Sequence, residues 1–250
     1  MPKATLAVLG YSISFQDTEV AQALAYEQAD MQTSLLPPRL RRRTSVATKM
    51  AFTAAERACK AACIEPSTLP VIFTSALGEA AVTDQLCHDI AKQNFPLSPT
   101  KFHNSVHNTA SGYWSIAVGS KHPAMAMAAY QDSFALALLE AWSQLHTVEK
   151  KVLLVCYEEK PSDVLLPDNT WVACATAFVL SSGAEDHHGL SSGMPYLDAL
   201  PETLSSDEKA SPAFAALPLY DALMKNQEGC IQLSQGIDKA WFVKLVFSDA

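Results

Sequence analysis

Five short apolar runs constrain this chain more than any other feature: TLAVLGYSI near the start, PVIFTSA at 70–76, AMAMAAY at 124–130, KVLLVCY at 151–157 and WVACATAFVLS at 171–181. Each is too continuously apolar to leave one face in water, as expected of strands buried on both sides. Segments with helical periodicity separate them. The clearest is VATKMAFTAAERACKAA at 46–62, rich in strong helix formers, with Thr44 or Ser45 placed to cap it. Others cover 79–93, 104–118 and 133–146. Buried strands alternating with helices predict an α/β layer built on a largely parallel sheet.

After Ser182 the texture changes. GAEDHHGLSSGMP and PETLSSDEKASP are rich in Ser, Gly, Pro and acids and read as a linker. FAALPLYDALMKN then reads as a short helix, and CIQLSQGIDKAWFVKLVF as a hairpin turning at 235–238. With 250 residues, 49% of them hydrophobic, the chain is long enough for one large domain with a real core. A formal net charge of -8 argues against a nucleic-acid or anionic-membrane surface. No apolar run reaches the length of a membrane span. The six cysteines form no CxxC pair and sit mostly inside apolar runs, as reduced core thiols of a cytoplasmic protein would. The acidic QDTEV is wrong for the cleavage region of an export signal, so the first apolar run is expected to be a strand.

Several chemistries lack their motifs. With nine glycines there is no GxGxxG and no GxxxxGK[ST], hence no Rossmann or P-loop phosphate cradle. A GxSxG nucleophile elbow is absent too. His103 and His107 have the i, i+4 spacing of a metal pair on one helix face, but Asn104 replaces a zincin glutamate and no third ligand is evident, so a structural role is expected. His187 and His188 sit in a polar stretch that reads as solvated. Arg39, Arg41, Arg42 and Arg43 form the one dense positive patch, either a solvated loop before a helix or a docking spot for an acidic partner.

In AMAMAAYQDSFALALLEAW a small-residue strand runs straight into a helix whose apolar residues are Phe134, Leu138, Leu139 and Trp142. Enzymes often place a nucleophile at such a junction, because a helix N-terminus stabilises negative charge. Here the junction carries Gln131. From 98 to 140 the sequence SPTKFHNSVHNTASGYWSIAVGSKHPAMAMAAYQDSFALALLE resembles, without a gap, the N-terminal half of β-ketoacyl-acyl carrier protein synthases. Asn108, Gly112, Gly119 and Pro123 fall into register, His122 replaces the usual glycine, and Gln131 occupies the position of the nucleophilic cysteine. LRRRTSVATKMAFTAA, FTSALGE and ACATAFVLS extend the likeness more weakly to about 181. The form SPTxFxxSVHN resembles in particular the ketosynthase-like chain length factors of aryl polyene and related type II polyketide systems.

The resemblance implies a thiolase-like α/β fold: one N-terminal half of the ketosynthase double fold over 1–182, with 183–250 as a linker and tail packing on the same or a partner domain. Glutamine at the cysteine position is characteristic, in the family, of chain length factors and decarboxylating initiation synthases, because a carboxamide cannot form a thioester. The histidine pair that drives condensation lies in the missing C-terminal half, and no HGTGT-like or GHxxGAAG-like motif follows His188. The expectation is a non-catalytic, cytoplasmic chain length factor without cofactor or metal, pairing with a full-length ketosynthase and serving an acyl carrier protein. The alternatives are a malonyl-carrier decarboxylase using Gln131 and a carrier-binding module. By the family register, Leu77, Ala80, Ala81 and Asp84, with Thr100, Lys101 and Phe102, would line the acyl pocket and its gate. The run Ala124, Met125, Ala126, Met127, Ala128, Ala129, Tyr130 would form the dimer interface. Arg39, Arg41, Arg42 and Arg43 would dock the carrier.

Overall fold

Two strands made almost wholly of apolar residues must lie where no face meets water, and β4 (Lys151–Glu158) and β5 (Cys174–Ser181) do so as an antiparallel pair at the middle of the sheet. In the computed structural model the described residues are 5–26, 31–182, 188–191, 211–235 and 240–247. Strand β1 (Thr5–Phe15) pairs with β5, while β2 (Val71–Thr74) and β3 (Ala124–Met127) extend the sheet beyond β4. Strands β6 (His188–Ser191), β7 (Gly229–Gln235) and β8 (Ala240–Phe247) extend it past β1. The resulting order is β3-β2-β4-β5-β1-β6-β8-β7, so β3 and β7 are the two edges.

The sheet is mixed rather than largely parallel. β3, β2 and β4 run parallel, and every other neighbouring pair is antiparallel. The cause lies in the connection from β4 to β5: residues 159–173 hold no helix, and a return without a crossover reverses the strand.

Eight helices accompany the strands among the described residues: α1 (Thr18–Ala23), α2 (Pro38–Arg41), α3 (Val46–Ala61), α4 (Ala80–Ala91), α5 (Pro99–Asn104), α6 (Thr109–Val118), α7 (Ser133–Thr147) and α8 (Leu217–Met224). None is long and apolar enough to cross a membrane. The period-two alternation of the central strands divides the core between two faces. Leu153, Val155 and Tyr157 of β4 join Ala175, Ala177 and Val179 of β5 beneath α3 and α6. Val152, Leu154 and Cys156 join Cys174, Phe178 and Leu180 beneath α7 and α8.

Helix α3 starts at Ser45, whose hydroxyl accepts the Thr48 N–H at 2.9 Å, and buries a face of alanines that lets it approach β1 closely. The expected helix over 104–118 is two helices, α5 and α6, separated by a turn at 105–108. Strand β3 stops at Met127, short of the expected 130, because the chain turns into a 3-10 helix at Tyr130–Asp132. The C-terminal segment forms a 3-10 turn, Pro212–Ala216, that leads into α8. Ala213, Leu219, Leu223, Leu233, Val243 and Leu245 share one core cluster with Leu6, Val8 and Phe134. Residues 183–187 and 192–210 of the expected linker, and residues 236–239 of the expected hairpin turn, lie outside the described residues.

Gly10 shows how tightly α3 seats on β1. A Cβ added there would lie 2.5 Å from the Ala58 carbonyl oxygen and 2.6 Å from the Ala62 nitrogen, both main-chain atoms that cannot rotate away. Gly10→Ala should therefore cost about 2 kcal/mol and lower the melting temperature by about 5 °C. A melting temperature equal to wild type in a thermal scan would show that the two elements separate freely.

Candidate functional site

Because β2, β3 and β4 are parallel, the turns that leave their C-terminal ends gather on one rim of the sheet. The Ser75 N–H donates to the Met127 carbonyl at 3.2 Å, and the Thr74 hydroxyl donates to the Ser133 carbonyl at 3.1 Å. The strand-to-helix junction foreseen from the sequence is fastened there. Ala129 donates its N–H to the Ser133 hydroxyl at 3.0 Å, and that hydroxyl donates to the Tyr130 carbonyl at 2.7 Å. Tyr130 has φ of +50°, a left-handed conformation that costs a non-glycine residue free energy, and its half-exposed ring lies 6.4 Å from that of Trp171.

Gln131 follows in this turn. Its amide nitrogen Nε2 is buried and has no hydrogen-bond partner. The Pro212–Ala216 turn and β7 both pack against the Tyr130–Asp132 turn, so the chain's own C-terminal segment covers the junction.

The turn that leaves β2 carries the candidate gate. Leu77 and Ala81 are exposed, Ala80 is buried and Asp84 is half-buried. Gly78 has φ of +61°, the left-handed region that favours glycine, and a Cβ there would crowd the His107 ring at 3.1 Å. His107 Nε2 bonds the Ser75 carbonyl at 2.8 Å, and the Gly78 N–H donates to the Ser75 hydroxyl at 2.7 Å. His103 instead stands edge-on to Tyr113 at 6.0 Å. The two histidines therefore lie on different elements with different neighbours, because α5 ends at Asn104 and the chain turns at 105–108 between them. Among the described residues no group of three His, Cys, Asp or Glu side chains is arranged to hold a metal ion.

Behind this turn lie three buried carboxyl groups that sequence reasoning missed. Glu158 accepts the N–H groups of Ala76 and Leu77, and Glu159 accepts that of Ala81 at 2.7 Å. Glu79 accepts the Thr48 hydroxyl at 2.6 Å through Oε1, while its Oε2 is buried without a partner. Burial outweighs these donors and pushes Glu158 up to about 8 and Glu159 up to about 7. Glu79 is raised for the same reason. The signal was a Glu-Glu pair ending the apolar run KVLLVCY, where solvated acids would ordinarily mark a strand's exit into water.

Arg39, Arg41, Arg42 and Arg43 are all exposed. Arg41 turns back to donate to the Thr33 and Leu36 carbonyls, at 3.1 and 3.2 Å. Glu56 anchors the same segment by accepting the Thr33 hydroxyl at 2.6 Å and the Ser34 N–H at 2.8 Å. Burial would raise this carboxyl, but Lys60, Ser34 and Thr33 donate to it and hold it down at about 2. The Asn104 side chain donates to the Arg43 carbonyl and accepts from the Tyr113 hydroxyl at 2.8 Å, tying the arginine segment to α5 and α6. On α5, Thr100 is exposed, Lys101 pairs with Asp89 at 3.3 Å, and Phe102 is 67% exposed. At the edge strand Ala124 and Met125 are exposed, Ala126 and Met127 half-buried. Beyond it Ala128 is exposed and Ala129 half-buried.

Residues 15–241 match the family model described as the β-ketoacyl synthase N-terminal domain. The chain belongs to this family. Comparison with curated proteins finds no match. Among solved structures this ketosynthase-family chain is similar to one in "Ketosynthase (ApeO) in Complex with its Chain Length Factor (ApeC) from Xenorhabdus doucetiae", with a TM-score of 0.71 and 21% identity over 96% of this chain and 99% of that one. It is similar at a TM-score of 0.70 and 13% identity to a chain in a type II polyketide synthase acyl-carrier protein complex with its ketosynthase, covering 97% of this chain and 99% of that one. The ishigamide ketosynthase/chain length factor follows at 0.62 and 15%, covering 88% and 73%. These likenesses establish the thiolase-like ketosynthase fold.

The carboxyl cluster gives this ketosynthase-family domain a pH dependence of known sign. Glu158 is faced by Glu159, Tyr157, Cys156 and Cys174, and Glu79 by Glu159, Tyr157 and His107. Raised folded-state values mean that the folded chain binds more protons than the unfolded one. Stability is thus fully present below the ordinary glutamate value near 4.5 and is lost as pH rises through about 7 and 8. Glu158→Gln keeps an acceptor oxygen but removes the ionisation, so its melting temperature relative to wild type should climb from pH 5 and level off above about pH 8. A difference that stays constant over that range would contradict the buried, proton-holding carboxyl.

Proposed function

We propose that this chain is a non-catalytic chain length factor that pairs with a complete ketosynthase and shapes its acyl pocket in cytoplasmic polyketide or aryl polyene synthesis. The observation that carries the reading is Gln131 at the strand-turn-helix junction. It stands where the family resemblance puts the nucleophilic cysteine, it cannot form a thioester, and its amide nitrogen is buried under the chain's own C-terminal segment. A decarboxylase would need that amide open to a malonyl thioester. In this reading residues 1–182 are the ketosynthase-like half and 183–250 a linker and tail, whose described parts 211–235 and 240–247 pack on the same domain.

The unpaired edge β3, with Met125 at 37% exposure, is the pairing surface. Ile116 on α6, a helix that packs against β3, and Phe102 on α5 are each 67% exposed and add apolar surface that a partner would cover. An unpaired edge strand is a template for another strand, and covering it across a dimer removes that hazard. The solved neighbours, complexes of ketosynthases with a chain length factor or an acyl carrier, support the same partner classes. The exposed Arg39, Arg42 and Arg43 would meet the acidic carrier, with Arg41 bracing their segment.

Two outcomes test this. Co-expressed with its neighbouring ketosynthase, the wild-type chain should co-purify with it, whereas Met125→Asp should be lost from the complex while keeping its own circular dichroism spectrum; retention of the variant would overturn the pairing surface. Gln131→Cys should not restore condensation once the partner's own cysteine is removed. Chain extension by that variant complex, followed by mass spectrometry of the carrier, would show that catalytic machinery persists in this chain.

A further inference from the structure

Adjacent residues of an extended strand point to opposite sides, yet the last two acids of the β4 region both bond the main chain of one short segment. Glu158 takes its beginning, Ala76 and Leu77, and Glu159 takes Ala81 in the first turn of α4. We infer that Glu158 and Glu159 are positioning residues that hold the gate around Leu77 in place, so that the width of the acyl pocket is set from β4 and not by the gate's own helix. The inference rests on the proposed role of Leu77 and Ala81 in the pocket.

Three observations support it. Helix α4 has no local side-chain cap, since Glu79 at its N-cap position makes no such bond. One of its free N–H groups, that of Ala81, which Ser, Thr or Asp would ordinarily satisfy within a few residues, is met by Glu159 from 78 positions away. The two carboxyls are 1% and 5% exposed, and neither forms an ion pair among the described residues. Such burial is costly, and a local serine cap would have satisfied the helix more cheaply. What the distant carboxyls add is position: with Gly78 wedged beside His107 and Ser75 bonded to both Gly78 and His107, the segment is fixed at both ends and in the middle. Leu77, exposed between these anchors, is then presented at a defined point on the rim.

Amide hydrogen exchange of the isolated chain reads this directly. Glu158→Ala should speed exchange at Ala76 and Leu77 about tenfold or more, leaving Ala81 protected, and Glu159→Ala should do the reverse. Glu159→Gln, which keeps the acceptor oxygen, should restore protection at Ala81, and Glu158→Gln, which keeps one of the two oxygens used, should restore it at Ala76. Unchanged protection of Phe178 in β5 reports that each variant is folded. In the complex with the ketosynthase, Glu158→Ala should broaden the distribution of product lengths and Glu158→Gln should not. Wild-type protection at 76, 77 and 81 in both alanine variants would overturn the inference, as would lost protection with an unaltered product distribution. If the wild-type chain neither joins a ketosynthase nor affects its products, the chain length reading falls, and the exchange result still decides whether the carboxyls hold the segment.

Discussion

Burial of β4 and β5 on both faces is the constraint on which the rest of the structure depends. Neither strand can face water, so α3 and α6 must cover one side and α7 and α8 the other. The alanine face of α3 and the absence of a side chain at Gly10 let the first layer close at short range. The second layer is completed from the far end of the chain, since α8, β7 and β8 contribute to the same cluster as Phe134 and Phe178. The C-terminal segment is thus part of the core that supports the junction at Gln131.

The same parallel trio that places the site also explains its cost. β2, β3 and β4 end on one rim, and each exit there carries a feature that a purely structural turn would avoid. Tyr130 is left-handed, Gly78 has a positive φ beside the His107 ring, and Glu158 and Glu159 are buried acids without an ion-pair partner among the described residues. Strain and uncompensated burial of this kind gather where a surface must be held in one shape. In the function proposed above, the shape being held would be that of a pocket wall and an interface.

Much of the architecture was legible in the residues. Central strands of unbroken apolar character, and the helix beginning at Ser45, announce themselves by periodicity and capping. The strand directions were not legible, because hydrophobic pattern fixes burial but not the sense of the β4-to-β5 return, which depends on residues 159–173 folding without a helix. The histidine pair makes the structural contacts expected of it, but not on one helix face: i, i+4 spacing places two rings on one face only where the helix continues, and here it breaks at 105–108. At the candidate site the Gln131 junction could be read because strand and helix patterns meet there. The carboxyl cluster could not, since Glu79 and the Glu158–Glu159 pair lie far apart in sequence and look like ordinary solvated acids.

In the proposed function this chain takes part in chain building without performing the chemistry. Its most direct test is incubation of a malonyl-loaded acyl carrier protein with the purified chain alone, with the ketosynthase alone and with the two together, followed by intact mass spectrometry of the carrier. The lone chain should leave the malonyl group untouched, and defined elongation products should form when both proteins are present. Conversion of malonyl to acetyl carrier by the lone chain, or the same products from the ketosynthase with and without it, would contradict the claim.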